Sequence, residues 1–92
     1  MVSSKAVIRN SSGLHLRPAG MFCKLAIEFR SKITISMENT KVNGKSVLSV
    51  LGACVKSGDE IEIICEGEDE EKALAVLMKA VETGLGDEIE EV

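Results

Sequence analysis

Residues 60–65 read Glu-Ile-Glu-Ile-Ile-Cys, so apolar side chains recur at every second position, at Ile61, Ile63 and Cys65. A period of two predicts a β-strand with one face in a core and the other face toward water. Residues 32–37, Lys-Ile-Thr-Ile-Ser-Met, repeat this pattern. Each of these strands leaves an apolar face to be covered, so the chain must supply a second layer.

Two further strands are predicted on weaker patterns. Residues 4–9 read as a first strand, which ends at the turn-forming run Asn-Ser-Ser-Gly at 10–13. After a turn at residues 38–40, residues 41–42 form a short returning strand. The sheet therefore has four predicted strands.

Three predicted helices supply the second layer. The first follows Pro18, whose missing N–H is not needed in a first turn. Its core-facing positions repeat at helical spacing and are Ala19, Phe22, Cys23, Ala26 and Phe29. The second helix begins after Ser46, a good N-cap, and ends near Gly52 or a few residues later. The third opens within residues 67–71, and its apolar face is Ala73, Leu74, Leu77, Ala80 and Val81.

The predicted order of elements is β-α-β-β-α-β-α. This order is typical of an α+β fold, a two-layer open-faced sandwich with three helices on one face of a four-stranded, mainly antiparallel sheet. The 92 residues form one domain, with residues 87–92 as a frayed acidic tail. We expect a monomer, because no large apolar dimer face is evident.

Composition argues against nucleic acid as a partner. The net charge is −4 and aromatic residues are 2% of the chain, so neither phosphate contacts nor base stacking is favoured. Basic residues predominate up to Lys56 and acidic residues after it. The first part could therefore dock an acidic partner or an anion, although ordinary solvated faces give the same pattern.

The cysteines and the hydropathy indicate in which cellular compartment the protein is expected. Cys23, Cys54 and Cys65 are an odd number without a CxxC pair, and the chain has no second histidine, so neither the ligand spacing of a zinc site nor the pairs of a disulfide framework are indicated. We expect all three to be buried core residues, and we expect no metal and no cofactor. The chain shows no signal-peptide pattern and no apolar run near the roughly 18 residues that span a bilayer. A cytoplasmic protein without membrane insertion is expected.

Residues 12–19, Ser-Gly-Leu-His-Leu-Arg-Pro-Ala, contain the chain's only histidine, His15, just before the first predicted helix. A lone histidine is more often a surface or capping residue than a reactive one. Here, however, the first N–H groups of a helix and the guanidinium of Arg17 would together favour phosphate oxygens. A neutral imidazole beside them offers a nucleophilic nitrogen at physiological pH. The segment therefore indicates phosphoryl transfer, for which positioning and charge compensation are the main requirements.

Residues 13–19 closely resemble the active-site signature of HPr, the histidine-containing phosphocarrier family of the bacterial phosphoenolpyruvate:sugar phosphotransferase system. Residues 42–48, Val-Asn-Gly-Lys-Ser-Val-Leu, resemble the family's second signature. Gly58, Gly67 and the closing run at 84–86 also fall where similar proteins have them. The resemblance covers nearly the whole chain.

The resemblance implies a role for each matching residue near the histidine. His15 would accept a phosphoryl group on Nδ1 from phosphorylated Enzyme I and pass it to the IIA domain or subunit of a sugar permease. Arg17 would pair with the phosphate oxygens, and the amides of Leu16 and Arg17 would help to hold them. The chain would then be a relay substrate and not an enzyme. Leu16 replaces the small residue usual in the family, which leaves partner specificity open.

The resemblance also implies a regulatory serine. The residue matching Ser46 is phosphorylated in many relatives by HPr kinase/phosphorylase, and a transcriptional regulator would read the product. The simpler interpretation, a helix N-cap, is compatible with this role. Partner docking is expected at residues near the two helix starts, and Gly20 predicts close packing or docking. The docking residues are Leu16, Gly20, Met21, Lys24, Lys45, Val47, Leu48 and Leu51.

Two alternatives stay open from the sequence. A regulatory or nitrogen-branch member of the same family would use His15 identically without feeding a sugar permease. A small α+β interaction module with an incidental histidine would not become phosphorylated at all.

Overall fold

The computed structural model describes residues 1–86, and the predicted tail at 87–92 lies outside the described residues. The elements follow the predicted order. The strands are β1 (Val2–Val7), β2 (Lys32–Met37), β3 (Thr40–Asn43) and β4 (Glu60–Glu66). The helices are α1 (Leu16–Ala26), α2 (Val47–Gly52) and α3 (Glu70–Glu82).

The four strands form one sheet in the order β1-β4-β2-β3, and every neighbouring pair is antiparallel. β4 is therefore a central strand, paired with β1 on one side and β2 on the other. This arrangement confirms the predicted α+β open-faced sandwich.

One face of the sheet carries the core. Ile61, Ile63 and Cys65 on β4 are buried, as are Ile33 and Ile35 on β2. The residues between them point to the other face and are exposed or half-buried. The helices cover the buried face with fully buried side chains, which include Phe22, Val50 and Leu77. The alternation that predicted these strands thus reports the sidedness of the sheet.

The first strand lies two residues earlier than predicted. Val2–Val7 pairs with β4, from Val2 opposite Cys65 to Val7 opposite Glu60. The pattern was obscured because polar Ser4 and small Ala6 take core-side positions, whereas Val7 is exposed. Ile8 continues the inward alternation beyond the strand and is fully buried.

The prediction that all three cysteines are buried is wrong for Cys54. Cys23 and Cys65 are buried, and burial raises the pKa of both thiols. Cys54 lies in the turn after α2, has a left-handed backbone (φ 54°) and is exposed. α2 ends at Gly52, the earlier of the ends that the sequence allowed, so Cys54 lies in a turn and not on an apolar helix face.

α1 also differs from its prediction at two positions. The helix ends at Ala26, so Phe29 lies beyond it and is half-buried. A Cβ placed on Gly20 would meet nothing within 4 Å, so this glycine is not required by packing inside the chain. Among residues 1–86, no helix has the length and apolar character needed to cross a membrane.

Candidate functional site

His15 is the N-cap of α1 and is exposed. Its backbone is extended (φ −82°, ψ −167°), and its carbonyl oxygen accepts the Ala19 N–H at 2.9 Å, the first hydrogen bond of the helix. The imidazole is therefore attached at the junction between the preceding loop and α1. A partner can approach a side chain in this position.

The loop before His15 is fixed by its backbone. Gly13 has φ 68°, a conformation that glycine adopts without strain, and its N–H donates to the Asn10 carbonyl at 2.9 Å. The next N–H, of buried Leu14, donates to the Val55 carbonyl at 3.0 Å. Leu14 thus anchors the residue immediately before the histidine to the segment that follows α2.

The start of α1 is suited to an anion. Helix geometry gives the amides of Leu16 and Arg17 no carbonyl partner within α1, and Pro18 has no N–H. No acidic residue occupies the first turn, and Arg17 is exposed. Amide dipoles and a permanent positive charge near His15 can therefore compensate the oxygens of a phosphoryl group.

Ser46 is the N-cap of α2, as predicted. Its Oγ accepts the Ser49 N–H at 3.2 Å, and its carbonyl oxygen accepts the Val50 N–H at 3.0 Å. The residue is half-buried, and α2 packs against α1. A modification of Ser46 would therefore act next to the helix that begins at His15.

The predicted docking residues divide by exposure. Leu48 is 83% exposed, Leu16 67% and Met21 39%, and Lys24 is also exposed. Gly20 is half-buried. Val47 and Leu51 are half-buried and pack against the core, so only part of their surface is available to a partner.

Two of the predicted docking residues, Met21 and Lys45, lie close to other segments of the chain. A Cβ on Gly86 would lie 3.6 Å from the Met21 Cε, so Met21 lies at the turn after α3. Lys45 is half-buried, and its Nζ donates to the Phe29 carbonyl at 2.7 Å. The Lys45 ammonium therefore already has a partner within the chain.

Sequence reasoning missed Ile27, which follows α1 and is 61% exposed. Ile27 lies 11 residues after Leu16, close to three full helical turns, so helical periodicity places both on one side of α1. This spacing could have identified it as a further member of the exposed apolar surface.

Asn10 was also missed. It is fully buried, and its Nδ2 donates to the Gly84 carbonyl at 2.8 Å. No local pattern indicates this contact, because Asn10 lies in a turn-forming run and Gly84 is 74 positions away.

No group of His, Cys, Asp and Glu within residues 1–86 could hold a metal ion. The donors near His15 are instead amides and a guanidinium, which are suited to an anion.

Known proteins of one family are similar to this chain in sequence and in fold. The family model described as PTS HPr component phosphorylation site matches residues 2–83. The phosphocarrier protein HPr of Borreliella burgdorferi is 41% identical over 83 residues, which are 90% of this chain and 96% of that protein. An HPr structure from Thermoanaerobacter tengcongensis superposes with a TM-score of 0.92 at 36% identity, covering 97% of this chain and all of that one.

A relative with a different name is nearly as similar. The HPr-like protein Crh of Bacillus subtilis, which has been solved as a dimer, is 37% identical over 89% of this chain and 96% of its own length. The fold and these matches define the class as a phosphocarrier component of the phosphotransferase system. Within that class, the chain belongs to the HPr family.

Proposed function

We propose that this protein carries a phosphoryl group on His15, which it receives from phosphorylated Enzyme I and delivers to IIA domains of sugar permeases. The observation that carries the proposal is the exposed position of His15 at the N-terminus of α1. A partner's phosphorus can reach the ring there, and the helix start favours the anion that results.

The transfer needs little from the carrier beyond position. The lone pair of the Nδ1 atom attacks phosphorus, and the bond between phosphorus and the donor atom breaks, returning its electron pair to the donor. The amides of Leu16 and Arg17 and the Arg17 guanidinium compensate the oxygens during this step. Delivery to a IIA domain is the same displacement in reverse. The protein is thus consumed and regenerated as a carrier, and the catalysts are its partners.

The test is incubation with Enzyme I and radiolabelled phosphoenolpyruvate. Wild type should take up acid-labile label, and His15→Ala should take up none. Arg17→Ala should be labelled more slowly, because the phosphate oxygens lose their charged donor. Label that persists in His15→Ala would refute the site, and an unlabelled wild type would refute the carrier role.

We further propose that Ser46 is a regulatory phosphorylation site for HPr kinase/phosphorylase, with a transcriptional regulator as reader. The N-cap position supports this, because a phosphate at a helix N-terminus is electrostatically favourable. Its charge of about −1.5 to −2 would oppose an acidic partner on the adjacent surface. Incubation with the kinase and ATP should label wild type but not Ser46→Ala, and equal labelling of both would refute this site.

A regulatory member of the family is the second candidate, and similarity to Crh favours it. Leu16, where most of the family has a small residue, is consistent with altered partner choice. A carrier for sugar uptake should pass label from His15 to a purified IIA domain, whereas a purely regulatory protein should retain it. We expect a monomeric, cytoplasmic protein, and light scattering checks the mass against one chain of 9.9 kDa.

A further inference from the structure

Asn10 is a buried polar residue close in sequence to His15. None of its surface is exposed, and its Nδ2 donates to the Gly84 carbonyl at 2.8 Å. This bond joins the loop before α1 to the turn after α3. We propose that Asn10 is a positioning residue for His15, which holds the reactive loop in place through Gly84; the inference rests on the proposed carrier function.

A short series of bonds leads from Asn10 to the histidine. The Asn10 carbonyl accepts the Gly13 N–H at 2.9 Å, and Leu14 donates to the Val55 carbonyl at 3.0 Å. His15 follows directly. The loop is therefore held on one side by Val55 and on the other by Asn10, so loss of either bond frees one side of it.

Gly84, which accepts the hydrogen bond from Asn10, lies in a well-packed turn after α3. Gly84 donates to the Val81 carbonyl at 3.1 Å, and Leu85 donates to the Ala80 carbonyl at 3.0 Å. Leu85 is 2% exposed, so the turn after α3 is fixed in the core. Asn10 thus ties the loop to a part of the molecule that packing already immobilises.

The second polar atom of the Asn10 amide shows why the donor matters. Its Oδ1 is buried and has no hydrogen-bond partner in the described part of the chain. An unpaired buried acceptor is unfavourable, and a leucine of similar shape would avoid it. The bond from Nδ2 to Gly84 is what asparagine supplies and leucine cannot.

The hydrogen bond from Asn10 to Gly84, here called the tether, should affect the rate of phosphoryl transfer and not the binding of partners. The proposed docking residues Leu16 and Leu48 are exposed and lie on α1 and α2. Asn10 acts instead on the loop that determines the position of the His15 imidazole. A small displacement of a reacting atom lowers the rate after binding, because near-attack geometry is lost.

The experiment compares Asn10→Leu with wild type as substrates of Enzyme I. Asn10→Leu should lower kcat about tenfold and leave KM within about twofold. Ser31→Ala is the matched control, since Ser31 is likewise fully buried and hydrogen-bonded, but to Asp69. It should lower the unfolding midpoint and leave kcat unchanged. Wild-type kcat in Asn10→Leu, or an equal fall in Ser31→Ala, would overturn the proposal.

A second readout does not depend on activity. The amide resonances of Ser12, Gly13 and His15 should shift in Asn10→Leu and stay in place in Ser31→Ala. Unchanged resonances would overturn the tether even if wild type is labelled, whereas an unlabelled wild type with shifted resonances would fault only the carrier function. If Asn10→Leu does not fold, Asn10→Ala removes the same donor without adding apolar atoms and takes its place in both measurements.

Discussion

Gly13 lies so close to the Val55 carbonyl oxygen that a Cβ on Gly13 would collide with it. The same oxygen accepts the Leu14 N–H at 3.0 Å. Close approach of the two backbones is therefore the condition for anchoring Leu14, and through it His15. Only glycine meets this condition, because it combines φ 68° with the absence of a side chain.

Gly13→Ala should lower the free energy of unfolding by about 3 kcal/mol or more, because it adds a backbone clash to an unfavourable φ. Urea denaturation measures the loss. Gly58→Ala is the control, since Gly58 also has positive φ (90°) but faces open space. It should cost only about 1–2 kcal/mol for the left-handed conformation. Equal losses in the two variants would contradict the clash with Val55.

Gly20→Ala should have the opposite sign. Gly20 lies within α1 and nothing lies within 4 Å of an added Cβ, so alanine should raise the free energy of unfolding by about 0.5–1 kcal/mol. The sequence predicted close packing or docking at Gly20, and close packing within the chain is wrong. Docking stays a prediction. If it holds, the KM of Enzyme I should rise in a variant that is more stable than wild type; an unchanged KM would remove Gly20 from the docking surface.

Much of the fold was predictable because the signal lies in adjacent residues. The period-two pattern of β4 and the serine N-cap of α2 were both confirmed. β1 was shifted because register is set by pairing with β4, which the local pattern of Ser4 and Ala6 does not encode. Cys54 was misplaced because its left-handed turn depends on where α2 ends.

The part of the candidate site that lies in adjacent residues could be predicted from the sequence, whereas the contacts between distant segments could not. His15 and Arg17 are neighbours in sequence, so the helix start that unites them can be read from residues 12–19. The contacts of Asn10 with Gly84 and of Lys45 with Phe29 join distant segments, and no local pattern predicts them. Contacts between distant segments are therefore harder to predict than residues grouped in one stretch of sequence.

Acid should weaken the protein partly through Asp69. Its carboxylate accepts the Ser31 hydroxyl and the backbone N–H groups of Arg30 and Ser31, which lower the pKa of Asp69 from 3.8 to about 2. A depressed folded-state pKa stabilises the fold above pH 3.8, and this contribution is lost as the pH falls toward 2.

Asp69→Asn should therefore be less stable than wild type at pH 7, and the difference in urea midpoint should shrink between pH 4 and pH 2. Glu68→Gln is the control at the neighbouring position. Glu68 is exposed, and its ion pair with exposed Arg30, at 3.7 Å, contributes little to stability. It should track wild type throughout. A difference for Asp69→Asn that is constant with pH would contradict the proposed linkage.

Leu48→Ala should separate docking from folding. Leu48 is 83% exposed, so its truncation should change the free energy of unfolding by less than about 0.5 kcal/mol. The KM of Enzyme I should nevertheless rise several-fold, since an exposed apolar anchor contributes at an interface. Leu77→Ala, at a fully buried position, should cost about 2–5 kcal/mol instead. An unchanged KM in Leu48→Ala would place the docking surface elsewhere.

Ser46 combines a structural and a proposed regulatory role, and two substitutions separate them. Ser46→Ala removes the acceptor of the Ser49 N–H and should lower the free energy of unfolding by about 1 kcal/mol. Ser46→Asp keeps a capping oxygen and adds negative charge at the helix N-terminus, so it should be at least as stable as wild type. If the charge opposes an acidic partner, Ser46→Asp should nevertheless accept label from Enzyme I more slowly than the less stable Ser46→Ala. The opposite order of rates would mean that the cap, and not the charge, links Ser46 to His15.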